Sequence, residues 1–198
     1  MAGAVVRPIT PEGFEAKFRV DVDPWNYRAS RFEAAKRQVL LRACGGRKVG
    51  RGLELACAIG VTSRALARLS LRLLAVDASP TALAEARRLT PASARVAFRR
   101  ALLPSELPRG PFDLVVVSEI AYYLNRRDLD RLASALCRAL APGGRVVVLH
   151  HLRPFDDAAQ LPRLAHGRLC RRLEAVALPR FAHRTGRYDA RAFVRRRG

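Results

Sequence analysis

The sequence predicts an α/β fold: a mostly parallel, twisted sheet of about seven strands with helices on both faces and a C-terminal antiparallel hairpin. Between residues 28 and 150, strand-like apolar runs alternate with amphipathic helix-like stretches, the pattern of βαβ units. The strongest run, Phe112–Ser118, is continuously apolar through Leu114–Val117, as a strand covered on both faces requires. Past residue 151 two strand candidates flank Thr185-Gly186, a spacing that suits a hairpin rather than a crossover.

In chain order, Arg28–Leu41 sets Phe32, Ala35, Val39 and Leu40 at helical spacing, with Ser30 near its start and Gly45-Gly46 past its end. Gly52–Ala56 reads as a short buried strand, joined by the turn Cys57-Ala58-Ile59-Gly60 to a helix over Val61–Leu69. Leu71–Asp77 is a second strand, and Ser79-Pro80 starts a helix to about Leu89, with serine at the cap and proline in the first turn. Arg95–Arg100 is a weaker strand, followed by Phe112–Ser118. Asp128–Leu140 predicts a helix closed by Pro142-Gly143-Gly144, and Arg145–His150 the next buried strand. A helix over Leu161–Leu173 precedes the hairpin of Glu174–His183 and Arg187–Val194, after which Arg195–Gly198 is expected to fray. There is no internal repeat.

A chain of 198 residues fits one domain with a sizeable core and needs no disulfide or metal staple. Hydrophobic residues make up 49% and charged residues 27%, which excludes the disordered and fibrous classes. The net charge of +20 points by itself to nucleic acid or another polyanion. Yet 34 arginines against three lysines, scattered along the chain, suit a coding bias better than a functional basic surface. An anion-binding face, if present, should include residues 151–198, where 12 arginines face four acids. Cys44, Cys57, Cys137 and Cys170 lie far apart, without a C-x-x-C pair or a histidine at zinc-ligand spacing. They suggest a reduced, cytoplasmic protein without a metal. No run approaches the ~20 apolar residues of a bilayer span, and the N-terminus lacks the apolar core of a signal peptide, so neither membrane insertion nor secretion is expected.

The chemistry-bearing residues fall at strand ends. Glu54 to Gly60 is a strand running into a small-residue turn, where Ala56, Cys57 and Ala58 let a ligand approach the backbone, and Asp77 ends the next strand 17 residues later. An acid at that place can accept both hydroxyls of a ribose. Glu119 follows the strand Phe112–Ser118 at the sheet edge where open α/β folds bind ligands. Tyr122 and Tyr123 offer aromatic faces for a cation and hydroxyls for an amine. His150, and less so His151, ends the fifth strand with an imidazole suited to proton transfer.

The segment Leu53–Gly60 with Asp77 resembles the cofactor-binding region of class I S-adenosylmethionine-dependent methyltransferases, in which Ala56 and Ala58 stand at two glycine positions. Phe112–Leu124 and Leu140–His150 resemble the fourth- and fifth-strand motifs of that superfamily. Within it, Ser118-Glu119-Ile120-Ala121-Tyr122-Tyr123-Leu124, with Asp23–Arg28 and Glu33–Lys36, resembles the nodulation protein S family of N-methyltransferases over roughly residues 14–195. The resemblance implies a Rossmann-like single domain: an N-terminal lid segment (1–27), a cofactor-binding core (28–150) and a C-terminal helix and hairpin (151–198). It implies S-adenosyl-L-methionine as cofactor, held by Glu54, Ala56, Cys57, Ala58, Gly60, Asp77, Ala78 and Ser118. Trp25 and Arg28 would close over it, Arg28 toward the cofactor carboxylate. The third strand offers no aspartate near the adenine amine, so backbone at Ala101 would serve. Glu119, Tyr122 and His150 are the expected catalytic residues, with Glu119 taking the acceptor's proton. The implied acceptor is a small molecule, an amine on a sugar or related metabolite, and the implied state a monomer or homodimer. The rivals are methylation of RNA or another polyanion, and a non-catalytic protein that retains the fold.

Overall fold

The computed structural model of the chain describes residues 8–197. Residues 1–7 of the expected lid segment, and Gly198, lie outside the described residues. Helix α1 (Pro11–Val20) begins where the Thr10 hydroxyl accepts the Gly13 N–H at 3.2 Å and Pro11 takes the first turn. The sequence pattern does not predict it: Phe18 is its one buried residue, too little for a periodic signal. Helix α2 (Arg31–Cys44) starts three residues later than expected, because Ser30 caps it by accepting the Glu33 N–H and the Arg28 N–H is drawn to Asp23.

The remaining elements are β1 (Val49–Leu55), α3 (Val61–Leu66), β2 (Ser70–Asp77), α4 (Pro80–Leu89), β3 (Val96–Arg100) and β4 (Phe112–Ser118). A 3-10 turn (Ala121–Tyr123) leads to α5 (Arg126–Ala139), β5 (Leu140–His151), α6 (Pro162–Glu174), β6 (Ala177–Arg184) and β7 (Tyr188–Arg195). Strand β5 begins five residues before the expected Arg145, so Pro142-Gly143-Gly144 lies within the strand and not in a helix-closing loop. A register shift between Phe112 and Leu114 accommodates it, and a Cβ on Gly144 would meet the Ala141 and Phe112 carbonyl oxygens at 2.8 and 2.9 Å.

The seven strands are ordered β3-β2-β1-β4-β5-β7-β6. The first five run parallel, and β7 pairs antiparallel with both β5 and β6, which gives the Rossmann-like sheet and hairpin that the sequence predicts. Alternate residues of β4 enter opposite cores. Val115 and Val117 pack with Leu129, Leu132 and Leu136 of α5, while Leu114 and Val116 pack with Val39 and Leu40 of α2. Both layers being covered, the strand ends supply the exposed chemistry. The order reverses between β1 and β4, a topological switch point, and the site lies beyond the C-terminal ends of these strands.

Candidate active site

A cavity of about 400 Å³ occupies the switch point, a volume suited to a small molecule. Strand ends form its floor, through Ala56, Asp77 and Glu119. Its roof is α1 with the loop that follows, where Phe14 and Phe18 pack at 6.1 and 5.4 Å from the Trp25 ring. The roof is fastened at two sides. Glu15 accepts the Ser79 and Thr81 hydroxyls, each at 2.6 Å, at the start of α4. Burial raises the pKa of Glu15, but these hydrogen bonds outweigh it and hold the carboxyl at about 2. On the other side Lys17 pairs with Asp157 at 2.5 Å.

Toward β1 and β2, Asp77 accepts the Ala58 N–H at 2.8 Å through Oδ2 and the Ser79 N–H at 2.9 Å through Oδ1. Burial raises its pKa against the pull of those backbone donors. Ala56 and Ala58 line the cavity with φ of +53° and +48°, backbone that glycine adopts without strain. Ala78 and Ala101 line it too. The Ala101 N–H is donated to the Asp77 carbonyl at 2.9 Å and the Leu102 N–H to Glu106 at 2.8 Å.

Other expected cofactor residues stand behind this wall. Glu54, Cys57 and Ser118 line a smaller space of about 50 Å³ that shares Ala56, Ala58 and Glu119 with the main cavity. Glu54 accepts the Ser63 hydroxyl at 2.5 Å, and burial pushes its carboxyl up to about 8. Gly60 (φ +74°) packs under α4, where a Cβ would meet Ala86 at 3.0 Å and the Phe98 ring at 3.2 Å. Trp25 lines the main cavity, whereas Arg28 lies outside it, paired with Asp23 at 3.3 Å and Glu85 at 3.5 Å.

The other end of the cavity is built around Glu119, whose φ of +55° turns the chain sharply out of β4. Its Oε1 accepts from Lys36 at 2.7 Å, and its Oε2 accepts from the Tyr122 hydroxyl and from the His151 N–H at 3.1 Å. Burial alone would raise its pKa, but Lys36 and the neighbouring donors hold it at about 2. Lys36, itself only 7% exposed, also binds Glu33 at 2.8 Å. The Tyr122 phenol, buried beside the Glu119 charge, stays protonated. Tyr123 and His151 line the cavity as well, and the His151 Nε2–H donates to the Arg153 carbonyl at 2.7 Å, leaving Nδ1 as an acceptor. His150 does not line the cavity; it is fully buried behind the 3-10 turn, where its Nε2 accepts the Ala121 N–H at 3.1 Å.

Sequence reasoning misses Lys36 and Glu15 as site residues. A signal for Lys36 does exist: one of three lysines, it sits four residues after Phe32 and four before Leu40, on the apolar face of its helix.

The model of the family "Nodulation protein S (NodS)" matches residues 14–148. Nodulation protein S of Rhizobium tropici is 33% identical over 127 residues, 63% of this chain and 53% of that protein. That of Sinorhizobium fredii is 32% identical over 129 residues, 63% of this chain and 59% of that protein. The chain thus matches little more than half the length of these curated relatives. Among solved structures, N-methyltransferase NodS from Bradyrhizobium japonicum WM9, in complex with S-adenosyl-L-homocysteine, superposes with a TM-score of 0.77 at 21% identity. That superposition covers 91% of this chain and 97% of the other, and carries the fold. No helix among the described residues is long and apolar enough to cross a membrane. With a family match across most of its length, this chain belongs to the nodulation protein S family.

Proposed function

We propose that the chain is an S-adenosylmethionine-dependent N-methyltransferase whose acceptor is a small amine, such as the free amine of a sugar. One observation carries the reading: a single roofed cavity joins Asp77 at the end of β2 to the Glu119–Lys36–Tyr122 cluster at the end of β4. The family match supports the chemistry, and the relative from Bradyrhizobium japonicum is a complex with the demethylated product.

The residues present fit the cofactor. Asp77 spends one lone pair on Ala58 and one on Ser79, and retains others for ribose hydroxyls. An adenine amine would donate to a backbone carbonyl there, whereas the Ala101 and Leu102 N–H groups are already engaged and closed to the ring nitrogens. Trp25, Tyr27 and Tyr122 supply the aromatic faces that favour a sulfonium. When bound, S-adenosylmethionine supplies a methyl group to a neutral nucleophile.

The protein's part is to hold that nucleophile, keep it neutral and exclude water. Glu33, Asp77, Glu119 and Asp157 line the cavity against Lys36 and the Lys17 that pairs with Asp157, so carboxylates remain in excess and an amine is favoured over an anionic acceptor despite the +20 net charge. Glu119 has three of about four acceptor positions filled, and the last can take an amine N–H. Held at a pKa of about 2, it is a weak base and orients the amine without removing its proton. His151, with a free Nδ1, takes that proton. Phe14, Trp25, Tyr123 and Phe155 keep the site dry, which itself disfavours the ammonium form.

Mass spectrometry of amino sugars and simple amines after incubation with the cofactor tests this reading. A single added methyl on nitrogen is expected. Glu119→Gln should lower kcat/KM about 100-fold at all pH values, whereas His151→Ala should lose a similar factor at neutral pH and recover as rising pH frees the amine. No methylation of any amine would overturn the assignment.

A further inference from the structure

Behind the 3-10 turn lies a buried row of titratable groups that the mechanism above does not use. His150, His166 and Asp189 are each at most 3% exposed and come from β5, α6 and β7. The His150 Nε2 lies 3.1 Å from the Ala121 nitrogen, and its Nδ1 lies 3.2 Å from the His166 Nδ1. The His166 Nε2 then lies 3.5 Å from Asp189 Oδ2 and 3.4 Å from the Cys170 sulfur.

One backbone group sets the direction of the whole row. The Ala121 N–H can only donate, so the His150 Nε2 must be bare and its proton must sit on Nδ1. That proton needs an acceptor, so the His166 Nδ1 is bare and its Nε2–H faces the Asp189 carboxylate, with the Cys170 sulfur beside it as a second acceptor. Reversing any ring, or adding a proton to His150, sets two N–H groups against each other inside the core.

We propose that His150, His166 and Asp189 form a directional hydrogen-bond chain that positions the 3-10 turn, and with it Tyr122 and Glu119, for the methyl acceptor. The turn is short and its neighbours are exacting. Glu119 stands two residues before Ala121 in left-handed backbone, and Tyr122 follows Ala121 and donates its hydroxyl to Glu119. The Tyr122 carbonyl also accepts the Ala159 and Gln160 N–H groups at 2.8 and 3.1 Å, so the turn is gripped from the loop before α6 as well as from β5. His150, His166 and Asp189 are thus positioning residues, without contact to the acceptor. The inference rests on the proposed function only for the identity of what is positioned.

The test uses the full chain labelled with ¹⁵N-histidine at neutral pH. Two-bond ¹H–¹⁵N spectra should show His150 as the Nδ1–H tautomer and His166 as Nε2–H. His166→Phe removes the acceptor of the His150 proton, so the His150 tautomer and the Ala121 amide shift should both change. With glucosamine, or whichever simple amine the wild type methylates, as acceptor, kcat should fall about tenfold or more, while affinity for S-adenosylhomocysteine stays within about twofold. Asp189→Leu should act in the same direction, and Asp189→Asn, which keeps an acceptor oxygen, should recover most of that loss. The pair serves if His166→Phe does not fold. A His150 Nε2–H tautomer in the wild type overturns the chain, as do wild-type turnover and Ala121 shift in both His166→Phe and Asp189→Leu. A wild type that methylates no amine counts against the functional reading; the tautomers and the Ala121–Tyr123 amide shifts then decide the chain.

Discussion

Four non-glycine residues among those described, Asn26, Ala56, Ala58 and Glu119, hold positive φ, and the last three line the cavity. Left-handed backbone costs an L-residue about 1–2 kcal/mol, so strain gathers where the chain must turn sharply around a ligand. Ala58→Gly should therefore raise stability by about 1 kcal/mol after the larger entropy of glycine in the unfolded chain, lifting Tm by ~2–4 °C. A lower Tm on thermal unfolding would contradict the strain argument. The carboxylates divide by sign. Glu15, Glu119 and Asp130, the last of α5 and paired with Arg168 and Arg172 of α6, are each held at about 2 and bind protons less readily folded than unfolded. The stability they give is complete above their ordinary pKa and is lost as pH falls toward 2. Glu54, pushed from 4.5 up to about 8, does the reverse: its protonated form favours the fold most below 4.5, and that contribution drains away as pH rises to 8. Glu54→Gln should flatten the decline in urea-measured stability across that window, and an unchanged slope would place its origin elsewhere.

At the scale of elements, α1 carries the roof although little of its own surface is buried. Its hold on α4 is Glu15, and Glu15→Ala should cost about 1–3 kcal/mol locally, speeding amide exchange in α1 while β4 and α5 keep their protection. Equal acceleration throughout would mean that α1 opens only with the whole fold. The same helix marks the limit of what its sequence discloses. Strand β4 is legible to the residue because both of its faces are buried and the apolar run is unbroken. Helix α1 is held by partners 64 and 140 residues away, contacts that no local period encodes. The site divides likewise. Asp77 and Glu119 are legible as acids at strand ends, but the Lys36 that fixes Glu119 lies 83 residues from it. His150 and His151 are neighbours on one strand, so their side chains take opposite faces; the sequence marks the pair, and only the packing of α6 decides which of them meets the cavity.

The whole molecule sets a cationic exterior around a cavity rich in carboxylates. The +20 charge is spread by arginines along the chain, whereas the cavity gathers acids at the one place where the sheet order reverses. A surface of that kind attracts polyanions without discrimination, and the cavity beneath it selects a small cation or amine. The proposed methyl transfer depends on the cavity holding the cofactor. Isothermal titration of the full chain with S-adenosylmethionine and S-adenosylhomocysteine tests that most directly, with Asp77→Ala beside the wild type. Micromolar binding is predicted, tighter for the product and weakened by about 1.5–3 kcal/mol in Asp77→Ala, the scale of hydrogen bonds to a charged group. Absence of heat and of any thermal shift at millimolar ligand, or equal affinity in Asp77→Ala, would contradict it.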